Sequence, residues 1–337
     1  MIYINNEGIT DAPTNLAIEE YCIRNLPKGN DYVLFYVNEN AIIIGRNQNT
    51  LEEVNLDYCE KNNIQIVRRV SGGGAVYHDL GNLNFSFMTD YDISKLNNFA
   101  RFTNPIADVL RNELNVPAES EGRNDIVVNG KKISGNAQFA SVKRMFSHGT
   151  LLLDSDLTIL SQALNVKMTK IVSKGHKSAR ARVANISEFL ENKITTEEFK
   201  SLILKGLNKE IEQFETYNLT EKDWEGINQL KAEKYNNWDW NFGKSPAFDI
   251  HRERRIEGVG IIDFRIKIKR GGEIENVKIY GDFFGKDPVS DIEKVLTGVR
   301  YDKNEIIKAL EKFDLFTYFG RIERDDLINL IYGPDEV

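Results

Sequence analysis

Residues 64–79 read IQIVRRVSGGGAVYHD. The apolar, β-branched start of this stretch predicts a strand, Ile64 to Val70, which runs into three glycines. Glycine is costly to order, but it lets a backbone approach a ligand and lets several N–H groups converge on an anion. Arg68 and Arg69 can each bind a phosphate or carboxylate through two hydrogen bonds. The stretch alone is equally consistent with an anion-binding loop and with a turn flanked by surface arginines.

Around this loop the sequence predicts alternating strands and helices. An amphipathic helix is expected over residues 13–25, with Pro13 near its start. Two strands, 32–37 and 41–44, are split by a hairpin-like turn. The other elements expected in this part are helices over 51–62 and 99–114 and strands over 84–88 and 145–153.

The clearest turn signal is Asn129-Gly130, inside the stretch DIVVNGKKIS at residues 125–134. An Asn-Gly pair is typical of a type I′ hairpin turn, because both central residues need a positive φ. Lys131 and Lys132 follow the turn, and successive side chains of a strand point to opposite faces. The two lysines are therefore expected to have different surroundings.

The last third of the chain predicts a second domain. The pattern is helical from 195 to 235 and then turn-rich at 238–246, where we place the domain boundary. Beyond it, residues 255–284 predict two long strands around a glycine pair, and two or three helices follow from residue 287. This arrangement is typical of a small α+β module.

The bulk composition limits the class of protein. A length of 337 residues favours one large and one small domain, and 41% apolar residues suffice for real cores. A net charge of −7 argues against a uniform nucleic-acid-binding surface. The N-terminus lacks the pattern of a signal peptide, and no apolar stretch approaches the roughly 20 residues that cross a bilayer. Two cysteines, Cys22 and Cys59, are too few for a disulfide framework or a four-ligand zinc site, which is typical of a reducing cytoplasm. Taken together, the charge, the lack of an apolar span and the cysteines lead us to expect a cytoplasmic protein without nucleic-acid or membrane contacts.

Six short motifs occur in a fixed order along the chain. They are NLAIEE at 15–20, RRVSGGGAVYHDLGN at 68–82, GRND at 122–125, KISG at 132–135, HGTLL at 148–152 and WNFG at 240–243. In this order they resemble the bacterial lipoate–protein ligases. The similarity continues more weakly through the C-terminal module, which resembles the accessory domain of those enzymes.

The resemblance implies a fold and an activity. The fold is α+β, with a catalytic domain over 1–245 built on a mixed or antiparallel sheet flanked by helices, as in biotin and lipoate ligases, and a small α+β accessory domain over 246–337. The family activates lipoate with ATP and Mg²⁺ to lipoyl-AMP, releasing pyrophosphate. It then transfers the lipoyl group to a lysine of an apo lipoyl-carrier protein, either a glycine-cleavage H protein or an E2 subunit of a 2-oxoacid dehydrogenase. We expect the protein to act as a monomer.

Site residues carry over where the motifs match. Lys132 matches the catalytic lysine, whose ammonium would bridge the carboxylate and the α-phosphate; its alternative is a solvated strand lysine. Asp125 would accept from adenine, help hold Mg²⁺, or bind only its own backbone. The other nucleotide-binding positions implied by the resemblance are Arg69, Gly74, Ala75, Val76 and Tyr77.

The resemblance also implies a set of lipoate-binding residues. The apolar tail requires a narrow tunnel, for which Leu16, Ile18 and Val76 are the candidates, and each is equally suited to a plain core. Near the carboxylate or adenylate the resemblance places Lys132 again, together with Arg69, Ser71, Gly73, His78 and His148. For His78 a purely structural hydrogen bond is the alternative.

A basic segment, residues 167–182, stands out in this acidic chain. It contains six lysines and arginines, and no acidic residue occurs between Asp156 and Glu188. It resembles the family's adenylate-covering loop, which would exclude water from a hydrolysable anhydride. Lys174 and Arg182 are the candidate nucleotide contacts there. The alternative is a solvated run of charge.

Three other readings compete. An octanoyl transferase or lipoyl amidotransferase of the same fold would need a reactive cysteine, yet neither Cys22 nor Cys59 lies in a matched motif. A biotin–protein ligase would use the same two steps on another acid. A carrier-binding protein without activity would not require Arg69, the three glycines and Lys132.

Overall fold

The computed structural model describes residues 1–164, 183–208, 215–242, 249–269 and 272–332. The chain forms two compact units, each described below by itself. The first comprises Met1–Ile44, Thr50–Val70 and Ala75–Phe242. The second comprises Gly45–Asn49, Ser71–Gly74 and Gly243–Val337.

The first unit is built on an eight-stranded mixed sheet. β1 pairs in parallel with both of its neighbours, and the other pairs are antiparallel. The order across the sheet is β11-β1-β2-β6-β10-β9-β8-β7. The strands are β1 Ile2–Asn5, β2 Tyr32–Val37, β6 Asn82–Asp90, β7 Ala118–Glu121, β8 Asp125–Val128, β9 Lys131–Ala140, β10 Arg144–Leu152 and β11 Glu215–Asn218.

Helices cover both faces of this sheet. One face packs Phe35 and Phe85 against Ile106 and Phe199 of helices α4 and α6. The opposite face packs Leu34 and Tyr36 against residues of α1 and α7. Among the described residues, the α-helices of this unit are α1 Ala12–Asn25, α2 Thr50–Glu53, α3 Leu56–Lys61, α4 Ala100–Leu114, α5 Leu157–Ala163, α6 Thr196–Leu207, α7 Glu221–Leu230 and α8 Trp238–Asn241. The expected α+β architecture with a mixed sheet flanked by helices is confirmed.

A second, three-stranded sheet contains the strand that precedes the glycines. Its strands are β3 Ala41–Ile44, β4 Gln65–Arg68 and β5 Val76–His78, in the order β4-β3-β5. β3 pairs with β4 and β5, whereas β2 pairs with β1 and β6. The hairpin expected between β2 and β3 is therefore wrong. Both strands are apolar along their whole length, so the local pattern could not show that they enter different sheets.

The Asn-Gly hairpin is confirmed. β8 and β9 pair antiparallel across Asn129 and Gly130, whose φ angles are 51° and 72°. Positive φ at both central residues defines the type I′ turn that the sequence required. The hairpin carries Asp125 at its start and Lys132 just after its turn.

Helix α1 is almost wholly inside the protein, so the expectation of an amphipathic helix is wrong. Asp11 caps its N-terminus by accepting from the N–H of Thr14 at 3.1 Å. Eleven of its 14 residues are buried, including Asn15, Glu19 and Glu20. Buried charges need partners. Glu20 has them, because Arg24, Lys234 and Tyr235 all donate to its carboxylate.

The region after residue 195 was only partly predicted. α6 and α7 confirm its helical character, and a five-residue π-helix, Lys231–Tyr235, extends α7. β11, at one edge of the eight-stranded sheet, was missed because its exposed residues lack an apolar pattern.

In the described part of the chain, no helix combines the length and the apolar character needed to cross a membrane.

The second unit contains a three-stranded sheet, β12-β13-β14, and four helices among its described residues. Two strands and two or three helices were expected, and the turn between β12 and β13 was overlooked. Ile262, Phe264 and Ile266 anchor its core. The elements are β12 Ile250–Ile256, β13 Gly260–Ile268, β14 Ile274–Gly281, α9 Ser290–Leu296, α10 Lys303–Leu310, α11 Leu315–Phe319 and α12 Arg324–Tyr332.

Candidate active site

A polar row crosses the α1-facing side of the eight-stranded sheet. Tyr36 on β2 lies opposite Asn84 on β6, and Asn84 lies opposite Thr150 on β10. The row continues to β9, where the N–H of Gly135 donates to the Thr150 hydroxyl at 3.2 Å. Directly opposed residues share a face of a sheet, so these side chains form one line. His148, two residues before Thr150 on β10, lies on the same face.

Lys132 lies at the end of this row. Its Nζ is 2.8 Å from Oδ1 of Asp125, and both side chains are about one-third exposed. The ammonium folds over Gly135, where an added Cβ would lie 2.7 Å from Nζ. Nζ of Lys131 instead lies 3.5 Å from Oε2 of Glu188. The two lysines thus have different partners, as the strand geometry predicted.

The backbone at Lys132 is also engaged. Val183 forms a parallel bridge with Lys132, and the N–H of Ala184 donates to the Lys132 carbonyl at 3.0 Å. These two residues come directly after the basic segment in sequence. The candidate contacts Lys174 and Arg182 lie outside the described residues.

Arg69 is a buried cation. It is 6% exposed, its N–H donates to Ile44, and its Nη1 donates to the carbonyl of Ile43 at 3.0 Å. Burial lowers the pKa of Arg69 to about 10, while Tyr36 and Glu19 act in the opposite direction. The guanidinium therefore stays charged at neutral pH.

Arg68 differs from its neighbour. Its side chain donates to the Trp240 carbonyl, the Thr50 hydroxyl and the Asn241 carbonyl at 2.6–3.1 Å. Its N–H donates to Oδ1 of Asn241 at 2.9 Å. The guanidinium is thus committed to contacts inside the protein, and our expectation that Arg68 binds an anion is not supported by this geometry.

His148 is paired with a carboxylate that the sequence reading did not assign to the site. Nδ1 of His148 lies 2.9 and 3.1 Å from the two oxygens of Glu19, which is 1% exposed. The ring of Phe146 lies 4.7 Å from the imidazole, centre to centre. Glu19 belongs to the motif NLAIEE, and its spacing of four from Asn15 places both polar residues on one helix face. That spacing was the signal that could have identified them.

His78 is buried in the same neighbourhood. Its Nδ1 lies 3.0 Å from Nδ2 of Asn38, a residue missed by the sequence reading. Burial lowers the pKa of His78 from 6.5 to about 3, and the charges of Arg69 and His148 act in the same direction. The ring is therefore neutral under physiological conditions.

The apolar candidates share one cluster. Leu16 and Ile18 are buried in the core between α1 and the sheet, and Val76 packs against that core. Ala75 and Tyr77 lie on the other side of the small sheet, in or against the cluster that contains Cys59. The Tyr77 hydroxyl donates to Asn40 at 3.2 Å.

The glycine loop belongs to the second unit, together with Ser71. An added Cβ at Gly72 would lie 2.2 Å from the Phe283 carbonyl oxygen, so this glycine permits a close contact between two backbone segments. Gly73 has a φ of 92°, which favours glycine. An added Cβ at Gly74 would meet no atom within 4 Å. Gly72 is thus required by packing, whereas the space beside Gly74 would admit a side chain.

Both cysteines are free and buried. Burial raises the pKa of the Cys22 thiol, as do the charges of Asp223 and Glu19. Burial also raises the pKa of Cys59. A nucleophilic thiolate needs a lowered pKa, so neither residue has the environment of a catalytic cysteine.

Two family descriptions match this chain. The lipoyl protein ligase A/B catalytic domain matches residues 11–208, and the bacterial lipoate protein ligase C-terminus matches residues 245–331. The chain belongs to the lipoate–protein ligase family. The resemblance read from the six motifs is therefore confirmed.

Individual members of the family agree. The lipoate-protein ligase LplJ of Bacillus subtilis strain 168 is 53% identical over 334 residues, which cover 98% of this chain and all of that protein. Among solved structures, lipoate-protein ligase A bound with ATP is 31% identical, with a TM-score of 0.60, covering 69% of this chain and 94% of that one. A bipartite lipoate protein ligase from Thermoplasma acidophilum, solved in a study of that enzyme and its E2 lipoyl domain, is 32% identical. Its TM-score is 0.64, with 74% of this chain and 98% of that one covered.

Within the first unit, the fold of this family member brings two groups of predicted residues to one region. The charges of Arg69 and His148 both act on the buried His78, and Lys132 pairs with Asp125 at the end of the polar row. Ser71, Gly73 and Gly74 lie in a loop of the second unit. The sequence assigned Glu19, Tyr36 and Asn38 no role in the site. The motif and spacing of Glu19 offered a signal, whereas Tyr36 in an apolar strand and Asn38 in the turn after it belong to no motif.

Proposed function

We propose that this protein activates lipoate with ATP to lipoyl-AMP and pyrophosphate, and then transfers the lipoyl group to a lysine of an apo lipoyl-carrier protein. Membership of the lipoate–protein ligase family supports the reaction class. The observation that carries the site assignment is the polar row that ends at Lys132.

The first step joins two anions. A carboxylate oxygen of lipoate attacks the α-phosphorus of ATP, the new O–P bond forms, and the bond to the pyrophosphate oxygen breaks. Fixed positive charge lowers the barrier to such a step. Lys132 supplies this charge from a side chain about one-third exposed, and its ion pair with Asp125 lets the ammonium turn toward substrate.

Arg69 contributes a second fixed charge. Because its guanidinium is buried and held by the Ile43 carbonyl, it stays in place before the substrate arrives. The charges of Arg69 and His148 both lower the pKa of His78. We assign these three residues to the carboxylate and adenylate end of lipoate. On the resemblance alone, Ser71 and Gly73 are assigned to lipoate and Gly74 to the nucleotide.

The apolar tail of lipoate would enter the core beneath α1. Leu16 and Ile18 belong to that core, and Val76 packs against it. Ala75, Val76 and Tyr77 are assigned to the nucleotide, as the family motif implies. Lys174 and Arg182, in the basic segment, are assigned to the adenylate on the resemblance alone.

In the second step the neutral ε-amine of the acceptor lysine attacks the acyl carbon of lipoyl-AMP. A C–N bond forms, the bond between the acyl carbon and the phosphate oxygen breaks, and AMP leaves while the amine loses a proton. We propose an H protein or an E2 lipoyl domain as the acceptor. A relative in the family was solved in a study that includes its E2 lipoyl domain, which supports this class of partner.

We propose that Mg²⁺ binds together with ATP and that Asp125 supplies one of its ligands. In the described part of the chain, Asp125 belongs to no group of three metal-ligating side chains. Mg²⁺ commonly takes one or two carboxylates and completes its shell with water and phosphate oxygens. Asp125 would supply that carboxylate, and the bound ion would neutralise phosphate charge. Accepting a hydrogen bond from adenine is the other role we retain for Asp125.

The remaining expectations complete the proposal. We assign residues 1–245 to the catalytic domain and 246–337 to the accessory domain, in line with the ranges of the two family matches. The protein is proposed to act as a cytoplasmic monomer without nucleic-acid or membrane contacts. The buried cysteines argue against an acyl transferase that works through a thioester.

The decisive experiment separates the two steps. Purified protein is given ATP, Mg²⁺ and either lipoate, octanoate or biotin, and ATP–pyrophosphate exchange is measured for each acid. We expect exchange with lipoate and none with biotin. Each purified apo acceptor is then added, and the lipoyl mass shift identifies the preferred carrier. Exchange with biotin alone would identify a biotin ligase, and no exchange with any acid would refute the proposed activity.

A further inference from the structure

The two ring nitrogens of His78 have different surroundings. Nδ1 lies 3.0 Å from the side-chain nitrogen of Asn38. Nε2 is buried and has no hydrogen-bond partner among the described residues. A neutral imidazole carries one proton, on one nitrogen or the other, and its hydrogen bonds decide which. The identity of the Asn38 atom that faces the ring therefore decides what Nε2 can do.

A chain of buried amides fixes that atom. Nδ2 of Asn15 lies 2.8 Å from the carbonyl oxygen of Ile9 and 3.1 Å from that of Val37. Carbonyl oxygens only accept hydrogen bonds, so the group facing them must be the NH₂ of Asn15. This NH₂ also lies 2.9 Å from Asn38, whose facing atom must then be its oxygen.

The orientation passes on to the ring. Once the oxygen of Asn38 faces Asn15, its NH₂ is turned toward His78, where it can only donate. Asn15 is held in its own orientation from a second side, because Nδ2 of Asn6 lies 3.1 Å from its oxygen and 3.1 Å from the Ile9 carbonyl. Asn15 and Asn38 are 0% exposed, so water does not compete for these bonds.

We propose that Asn38, oriented by Asn15, is a positioning residue that holds His78 as the neutral tautomer protonated on Nε2. In this form Nδ1 accepts from Asn38 and Nε2–H is a buried donor. Its ligand is an acceptor oxygen of the acyl substrate, and this assignment rests on the function proposed above. The opposite tautomer would present the lone pair of Nε2 to a carboxylate or acyl-phosphate oxygen and repel it.

The neighbourhood explains why a neutral donor is useful. Arg69 already supplies a buried cation close enough to act on His78. A second cation would be costly to bury beside it. An uncharged N–H aimed at the substrate adds a directed hydrogen bond without a second charge, and the amide chain supplies the tautomer in advance of binding.

The tautomer can be read directly in the substrate-free protein. The chain has four histidines, so selective ¹⁵N labelling of histidine rings gives a small set of NMR signals. His78→Gln identifies the signal of His78. We expect Nε2 of His78 to be protonated and Nδ1 unprotonated throughout the neutral pH range. A protonated Nδ1 in the unaltered protein would overturn the proposal, whatever the enzymatic activity proves to be.

Substitution of Asn38 tests the cause. In Asn38→Asp the facing group accepts instead of donating, so the proton should move to Nδ1. We expect the KM for lipoate in ATP–pyrophosphate exchange to rise about tenfold or more, as for the loss of one hydrogen bond to a charged group, with a smaller change in the KM for ATP. Asn5→Ala is the matched control, because it removes an exposed amide pair with Asn218 that does not touch a histidine.

The outcomes remain distinct. An unchanged tautomer in a folded Asn38→Asp protein would refute the role of Asn38. A shifted tautomer with an unchanged KM for lipoate would refute the assignment of the acyl substrate as the ligand of Nε2. If Asn38→Asp does not fold, the tautomer of the unaltered protein alone decides the proposal, and a protonated Nδ1 there overturns it.

Discussion

Two parts of the candidate site are held in opposite ways. One is the hairpin end, with Lys132 and Asp125, and the other is a buried cluster of Arg69, His78 and His148. Lys132 and Asp125 are about one-third exposed and form an ion pair with each other. Arg69, His78 and His148 are all less than a tenth exposed, and each has a hydrogen-bond partner inside the protein. An exposed ion pair contributes little to stability, whereas a buried polar group must be satisfied.

This difference separates chemistry from positioning. The weakly held ammonium can exchange Asp125 for the anions of the substrate at little cost. The buried groups cannot rearrange without losing partners, so their arrangement is set when the protein folds. Substitutions at the hairpin end should therefore change the reaction and not the fold, and substitutions of the buried residues should change both.

The largest effect is expected at the hairpin end. Lys132→Ala should lower the rate of lipoate-dependent ATP–pyrophosphate exchange by about 10²–10³-fold or more, the range found when a fixed transition-state donor is removed. Thermal unfolding should be almost unchanged, because the lost ion pair is partly exposed.

Lys131→Ala is the matched control for that variant. Lys131 lies on the same strand but pairs with Glu188, so its loss should leave exchange near the unaltered rate. Equal losses from the two substitutions would contradict the role assigned to Lys132.

Arg68 is another buried charged residue of the first unit, and it tests the expectation that buried groups support the fold. Arg68→Ala leaves the Trp240 and Asn241 carbonyls and the Thr50 hydroxyl without this donor. We expect a loss of about 2–4 kcal/mol in the free energy of unfolding, measured by denaturant titration. Arg68→Lys, which keeps the charge but fewer donors, should lose less.

A different result would change the interpretation of this residue. If Arg68→Ala is as stable as the unaltered protein but its KM for ATP rises strongly, Arg68 binds substrate and its contacts to Trp240 and Asn241 are not its main role.

His78 should make the first unit sensitive to acid. Its pKa falls from 6.5 to about 3 on folding, so the unfolded chain binds a proton that the native ring refuses. The free energy of unfolding is therefore not lowered by this group well above pH 6.5, and it decreases as the pH falls from there toward 3. Between pH 7 and pH 5 the decrease amounts to about 2 kcal/mol.

His78→Gln should reduce this slope, as measured by denaturant titrations at several pH values. His251→Gln in the second unit is the control, because the side chain of His251 is 58% exposed. A slope that is unchanged in His78→Gln would show that other groups cause the acid sensitivity.

The smallest effect is expected from the cysteines. The double variant Cys22→Ala and Cys59→Ala removes two buried thiols from two core clusters, at a cost of about 1 kcal/mol each. Both exchange and acyl transfer should persist. Loss of transfer in a folded double variant would favour a thioester mechanism instead.

Local patterns predicted much of the architecture. The Asn129-Gly130 turn, the helix near residues 100–114 and the strand before the glycines were all recognisable, because each depends on neighbours in sequence. The pairing of strands was not. β2 and β3 look like a hairpin but enter different sheets, and β11 joins β1 across more than 200 residues of chain.

The sequence by itself determined the family and predicted Lys132 as the catalytic residue. Ordered motifs identified a lipoate–protein ligase, and strand alternation distinguished Lys132 from Lys131. Only the tertiary structure decided that Arg68 is occupied internally, that Glu19 pairs with His148, and that Asn38 orients His78. The physical reason is that hydrogen-bond partners and burial depend on groups distant in sequence, whereas motifs and turns depend on adjacent residues.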